Sequence, residues 1–269
     1  MATPNTAETP LTREQADSQA MMRFVPSQSV RRFVDHYWLA AESRDPHYEI
    51  LPDGAIDVVL LVDGSRTVVS VYGTTTRATG VPLVPGGHYL GIRFRPGGSR
   101  HFLDASAREL TDNVAPVSGV LSTALEDAFA SAGFDGAAKA LDDALDRWIR
   151  RVDAERTRLD DLVDALARGD GTVPVATAAA SLRRSPRQFE RMFLDAIGLS
   201  PRAFSSVCRF QRAAAALSEW PAMPLAQVAA ECGYADQSHM TRAFRQWAGR
   251  PPARFRRERV AFVQDGSTA

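Results

Sequence analysis

Cysteine and lysine are the scarce residues of this chain. Cys208 and Cys232 are the only two cysteines, and they form no CxxC pair. A disulfide framework and a cysteine-ligated zinc cluster are therefore excluded. Both fall among apolar residues on expected helices, where a free thiol behaves as a small buried hydrophobe. Lys139 is the one lysine, so nearly all positive charge is arginine. No apolar run approaches the roughly 20 residues that span a bilayer. The polar first twenty residues lack the apolar segment of a signal peptide. The expectation is a cytoplasmic protein with no membrane partner. G-x-S-x-G, G-x-x-x-x-G-K and H-E-x-x-H are all missing, so no enzyme is expected. His36, His47, His88 and His101 lack the paired spacing, with a carboxylate, of a metal site on strands; His47-Tyr48-Glu49 is the nearest approach. No metal and no cofactor are expected.

What is present suffices for two domains. The 269 residues are 45% hydrophobic and 24% charged, the composition of a globular chain with ample core. The zero net charge conceals an asymmetry. Residues 1–170 hold 18 basic and 25 acidic side chains, a net of −7; residues 171–260 hold 14 and 6, a net of +8. A basic half joined to an acidic half points to a polyanion-binding module attached to something else.

Residues 1–22 read as a disordered lead-in and 261–269 as a frayed tail. From about Val30 to Gly98 the texture is of short strands, at Ile56–Val62, Thr67–Tyr72 and His88–Phe94. Turn signals such as Pro52-Asp53-Gly54 and Pro96-Gly97-Gly98 punctuate them. The expected fold of residues 23–153 is α+β: a small antiparallel sheet or barrel plus helices. A short helix is expected over 99–105, and longer ones over 118–132 and 136–152. In the last of these Leu141, Leu145, Trp148, Ile149 and Val152 share one side. They suit an intramolecular core or a dimer seam, with core the preferred reading. Residues 156–260 read as an all-α domain of seven helices.

That helical half carries an internal repeat. Phe189, Phe193, Gly198, Pro201 and Phe204 recur 51 residues later as Met240, Phe244, Gly249, Pro252 and Phe255, with Arg191 and Arg242 in register. Each unit has a packing helix of small residues, a tight turn, and a second helix with a polar outer face, the pattern of a helix-turn-helix. Ser185 and Asp236 are expected N-caps of the second helices. Outward-facing Arg, Gln, Thr and Glu are the side-chain types that read base edges in the major groove. Arg183, Arg184, Arg250, Arg256 and Arg257 are candidate phosphate contacts that would fix orientation.

On these residues, with Ala179 and Ala229-x-x-x-Gly233-Tyr234, the segment from Arg156 to Arg259 resembles the DNA-binding domain of AraC/XylS-type transcription regulators. The second unit also has that family's extra residue between packing and recognition helices. The resemblance implies two helix-turn-helix units joined by a long helix over Pro201–Ser218. They would lie in adjacent major grooves of promoter DNA about 34 Å apart. It implies base reading by Arg187, Glu190 and Arg191 in the first unit and by Gln237, Ser238, Thr241 and Arg242 in the second. Glu190 departs from expectation: it selects cytosine or pairs with a neighbouring arginine.

Leu51–Leu60 and Gly91–Gly98 are similar to a sensory-type domain that precedes such units in bacteria. That likeness implies a small effector or dimerisation. RNA polymerase, a small-molecule effector and a second copy of the chain are thus candidate partners beside double-stranded DNA. Asp57 opens a buried-looking strand and needs a partner, with Arg93 or Arg95 the candidates. An Asp57–Arg93 pair would either hold the sheet together or line an effector pocket. Three other readings make different demands on the sequence. An alkyl-transfer repair protein would need a cysteine-rich zinc site outside the helical half. A small-molecule-binding protein or enzyme could carry the helical half as an interaction module only. A co-regulator would touch DNA only when tethered.

Overall fold

The computed structural model describes residues 13–15, 21–41, 47–64, 66–168 and 175–265 of the chain. The described residues contain nine strands: β1 (Arg13–Gln15), β2 (Met21–Phe24), β3 (Val34–Ala41), β4 (His47–Ile50), β5 (Asp57–Asp63), β6 (Arg66–Tyr72), β7 (Thr79–Pro82), β8 (His88–Phe94) and β9 (Val114–Pro116). Seven form one antiparallel sheet in the order β1-β2-β3-β8-β5-β6-β9, and β4 pairs with β7 in a separate ribbon. The sheet is open, so the barrel alternative falls away. β1 pairs with β2 inside the stretch expected to lack structure.

Strand alternation gives the sheet two different faces. Val58, Leu60, Val69, Val71, Leu90 and Ile92 bury on one. They meet the long helix α2 (Val120–Val152), which follows the short helix α1 (Ala107–Leu110). The backbone of α2 leaves helical geometry at Gly133 (φ 64°), where the sequence called for a break between two helices. Leu141 and Leu145 are fully buried against the sheet. That places them in the intramolecular core rather than a dimer seam, whereas Val152, expected on the same side, is exposed. Buried Asp142 accepts hydrogen bonds from the Tyr37 hydroxyl (2.8 Å) and the Ser27 N–H (3.1 Å). The helix expected over 99–105 is instead a single 3₁₀ turn at Gly98–His101, and α1 begins after it, capped by Ser106.

The other face of the sheet carries Trp38, Asp57, Val59, Tyr72, Gly91 and Arg93. The register pairs Asp57 with both Tyr72 and Arg93, and Gly91 with both Trp38 and Val59. Gly91 is there for space: a Cβ on it would lie 2.0 Å from the Trp38 ring.

Seven helices follow: α3 (Arg158–Arg168), α4 (Val175–Ser181), α5 (Pro186–Ile197), α6 (Pro201–Glu219), α7 (Leu225–Glu231), α8 (Gln237–Trp247) and α9 (Pro252–Asp265). Their shared core holds Phe189, Phe193, Phe204, Phe210, Phe244 and Phe255. Phe210 stacks edge-on against Phe244 at 5.0 Å between centroids. The repeat is thus a packing repeat, with α6 running through both units. No helix among the described residues is long and apolar enough to cross a membrane.

Candidate nucleic-acid interface and effector cavity

The two candidate recognition helices are defined by their caps. Ser185 accepts from the Gln188 N–H while the Gln188 side chain returns to the Ser185 N–H, and Pro186 takes the first helical position of α5. Such reciprocal capping satisfies two donors that the helix leaves open. Asp236 caps α8 by accepting from the His239 N–H at 2.6 Å. The preceding turns match in hydrogen bonding though not in sequence. Arg183 N–H and Arg184 N–H donate to Ala180 O and Ala179 O, while Gly233 N–H and Tyr234 N–H donate to Ala230 O and Ala229 O. Arg183 (φ 53°) therefore occupies the left-handed position that Gly233 (φ 73°) fills in the second unit.

On α5, Phe189 and Phe193 bury while Arg187, Glu190 and Arg191 are exposed. On α8, Met240, Ala243 and Phe244 bury, and Gln237, Ser238 and Arg242 are exposed. Thr241 is half-buried and turns its hydroxyl to Gln237 O (2.8 Å). Glu190 makes no ion pair with any arginine among the described residues, leaving its carboxylate to solvent.

The arginines assigned to phosphate divide into two groups. Arg183, Arg184 and Arg257 are exposed. Arg250 and Arg256 are engaged within the protein. Arg250 makes a two-pronged bond to Glu49 (2.6 and 2.7 Å), and its Nε lies 2.7 Å from Glu258. These contacts raise its pKa, the Glu49 hydrogen bond foremost. Arg256 donates to Pro221 O and Met223 O.

The Arg250–Glu49 bond belongs to a broad seam between sheet and helices. The Thr74 hydroxyl donates to Ile197 O at 2.8 Å. The Thr111 hydroxyl lies 2.9 Å from Ala107 O and 3.1 Å from Gly198 O. Ala78 N–H donates to Trp247 O at 2.8 Å. Ile197 and Trp247 are the last residues of α5 and α8, whose terminal carbonyls have no partner inside the helix. One loop, residues 73–78, thus supplies donors to the C-terminal ends of both recognition helices. That loop is itself anchored on Asp112, whose carboxylate accepts from Thr76 N–H at 2.7 Å. At the far side of the seam Arg100 and Asp160 form a second two-pronged pair.

A cavity of about 440 Å³ opens between the second face of the sheet, the β4–β7 ribbon and α6. The sequence-predicted pair lies in it: Arg93 Nη1 is 2.7 Å from Asp57 Oδ2, and its Nη2 contacts Asp53. The Trp38 indole N–H donates to Asp57 Oδ1 at 3.1 Å. Burial pushes the Asp57 carboxyl up to about 7, the Trp38 hydrogen bond opposing it. Arg95 is not its partner; that side chain donates to Arg31 O instead. Gln211 of α6 also lines the cavity and donates to Pro52 O at 2.6 Å. Sequence reasoning missed Gln211, Glu49 and Thr74. Gln211 sits on a continuous helix next to an alanine run, and nothing in its spacing marks it as a cross-domain donor.

A family model described as a helix-turn-helix domain matches residues 178–258. The chain carries an AraC-type helix-turn-helix domain. That domain supports a DNA-binding transcription regulator. Residues 22–116, ahead of the AraC-type domain, match a family described as a domain of unknown function (DUF6597). No curated relative matches the sequence. Among solved structures, the C-terminal domain of AraT, a response regulator from Geobacillus stearothermophilus, is 25% identical. It covers 38% of this chain and 89% of its own, with a TM-score of 0.33. ToxT from Vibrio cholerae O395 is 10% identical over 84% of this chain and 97% of its own, with a TM-score of 0.43. Unsaturated fatty acid bound ToxT from Vibrio cholerae is 12% identical over 82% and 93%, with a TM-score of 0.39.

Proposed function

We propose that this protein is a sequence-specific regulator of transcription that lays α5 and α8 in adjacent major grooves of promoter DNA. The observation that carries this reading is the duplicated, separately capped helical unit with Arg191 and Arg242 exposed at equivalent positions. A guanidinium so placed reaches guanine O6 and N7 with two hydrogen bonds. Arg187, Glu190, Gln237, Ser238 and Thr241 complete the base-reading set. Arg183, Arg184 and Arg257 are the favoured phosphate contacts; Arg250 and Arg256 would first have to leave their protein partners.

The N-terminal half is proposed as the regulatory half, modulated by a small effector. Support comes from the ligand-sized cavity. It also comes from the loop 73–78, which follows directly on cavity-lining Tyr72 and bonds both recognition helices. RNA polymerase and a second copy of the chain are further partners of such a regulator. With Leu141 and Leu145 in the core, any self-association would use other surfaces.

The test is selection of bound sequences from a random duplex pool by the full chain, repeated with Arg191→Ala plus Arg242→Ala. Two short motifs about one helical turn apart, lost in the double variant, are expected. Recovery of no motif, with equal retention of both proteins, would reduce these arginines to surface charge.

A further inference from the structure

The cavity holds an unbalanced charge. Asp53 and Asp57 share the single guanidinium of Arg93, and the three side chains are only 25%, 16% and 25% exposed. Two carboxyls on one cation cannot both ionise without leaving one negative charge uncompensated in a place poorly reached by water, where such a charge is costly. The other charged groups of the lining offset it only in part. Asp35 is bonded to His36 (2.8 Å) and Glu49 is paired with Arg250, while exposed Arg23 favours the Asp57 carboxylate less than burial opposes it. Burial pushes the Asp57 carboxyl up to about 7 for the same reason, and a cation bound beside it would hold it ionised.

The walls mix aliphatic and aromatic side chains. Trp38, Tyr48, Tyr72 and Tyr89 all line the cavity. Trp38 is held across Gly91, and Tyr89 is fixed by accepting from Val84 N–H (2.7 Å). Fixed aromatic faces beside an excess of carboxylate attract cations through both the ring quadrupole and direct charge pairing. A carboxylate or phosphate ligand meets the opposite situation. Arg93 is already committed, and Asp53 and Asp57 would repel it.

We infer that the cavity takes an organic cation, a primary or quaternary ammonium carried on an apolar or aromatic body. The ammonium sits beside Asp53 and Asp57, and the body lies against Trp38 and Tyr72. The inference rests on the regulatory reading of the N-terminal half and gives that half its ligand class.

The experiment is calorimetric titration of the full chain with phenethylamine and phenethyltrimethylammonium. The isosteric anion 3-phenylpropionate, the neutral 3-phenylpropanol and oleate serve as comparisons. Saturable binding of the two cations is expected, with the neutral and anionic probes at least about tenfold weaker. Asp53→Asn, which keeps the size of the side chain and removes its charge, should weaken cation binding about tenfold or more. Trp38→Phe should weaken it too, since it trims the aromatic face and removes the indole N–H that favours the Asp57 carboxylate. Circular dichroism establishes that each variant is folded. The inference is overturned if an anion binds as well as the cations, if no cation binds up to about 10 mM, or if folded Asp53→Asn binds unchanged. Retention of duplex DNA by the same preparation separates the two readings. DNA binding without cation binding sinks this inference alone, whereas failure to hold DNA at low salt sinks the regulator reading.

Discussion

Arg100 grips Asp160 across the seam with both nitrogens, Nη1 to Oδ1 at 2.8 Å and Nη2 to Oδ2 at 2.9 Å. Asp160 is 4% exposed and also accepts from the Thr157 N–H at 2.7 Å, with His101 Nε2 3.4 Å away. Burial opposes its ionisation, but the hydrogen bonds from His101, Thr157 and Arg100 outweigh that, and its pKa falls well below the ordinary 3.8. A carboxylate depressed in the folded state contributes stability that is full above its unfolded pKa and is lost as pH falls through the folded one. The native protein should therefore lose stability steeply from about pH 4 downward. Asp160→Asn should flatten that acid limb. It should also cost about 3 kcal/mol near pH 7, because it leaves the Arg100 guanidinium without its buried partner. Denaturant titrations at a series of pH values check both; parallel acid limbs in the two proteins would remove Asp160 from the account.

The helical half was largely legible because its packing, capping and turn signals all follow local rules. Phe189 and Phe193 at i and i+4, Ser185 before Pro186, and the equivalents around Met240 and Asp236 each dictate one feature within a few residues. Strands β5, β6 and β8 were legible from their β-branched runs, and the Asp57–Arg93 pair from the need of a buried carboxylate for a cation. The seam was not legible. Gln211 bonding to Pro52 O, or Glu49 to Arg250, joins residues more than 150 positions apart, and neither sequence neighbourhood distinguishes them from surface. Gly54 illustrates the difference: it reads as a turn residue, and its φ of 78° agrees, but a Cβ there would also lie 2.6 Å from Phe204 of α6.

The split among the basic side chains predicts unequal salt dependence. Each phosphate contact steepens the fall of log K with log salt by about 0.9. Arg257→Ala should lower affinity for all sequences alike and reduce that slope by about one contact. Arg250→Ala should leave the slope nearly unchanged, since its guanidinium is held by Glu49 and Glu258. Fluorescence anisotropy over a range of salt distinguishes them. A full unit of slope lost in Arg250→Ala would mean that the Glu49 pairing opens when DNA binds.

Arg183 separates folding from binding. A residue with a Cβ pays about 1–2 kcal/mol for a left-handed backbone, and glycine gives back part of that relief through the entropy of the unfolded chain. Arg183→Gly, copying the second unit's Gly233, should stabilise the protein by about 0.5–1 kcal/mol. If Arg183 touches phosphate, the same variant should bind DNA less tightly and with a shallower salt slope. Thermal unfolding and anisotropy on one sample read the two effects independently; lower stability would mean that the arginine side chain contributes contacts its exposed position does not reveal.

The loop 73–78 predicts that the N-terminal half sets the distance between the two recognition helices. Fully buried Thr74 bonds the last carbonyl of α5, and Ala78 N–H bonds the last carbonyl of α8. A short loop anchored on Asp112 is stiff, so the two helix ends are held at one separation. Thr74→Val keeps the shape of the side chain and removes the donor. It leaves Ile197 O unsatisfied on the buried side, at a cost of about 1–3 kcal/mol. With that tie gone, α5 can shift against α8 about the intervening α6. The native chain should select two motifs at one fixed spacing, whereas Thr74→Val should also accept sites with one base pair inserted or removed. Competition between duplexes of different spacer length measures this directly. An unchanged spacing preference in the folded variant would assign the geometry of the two helices to α6 alone and leave the loop a merely adhesive role.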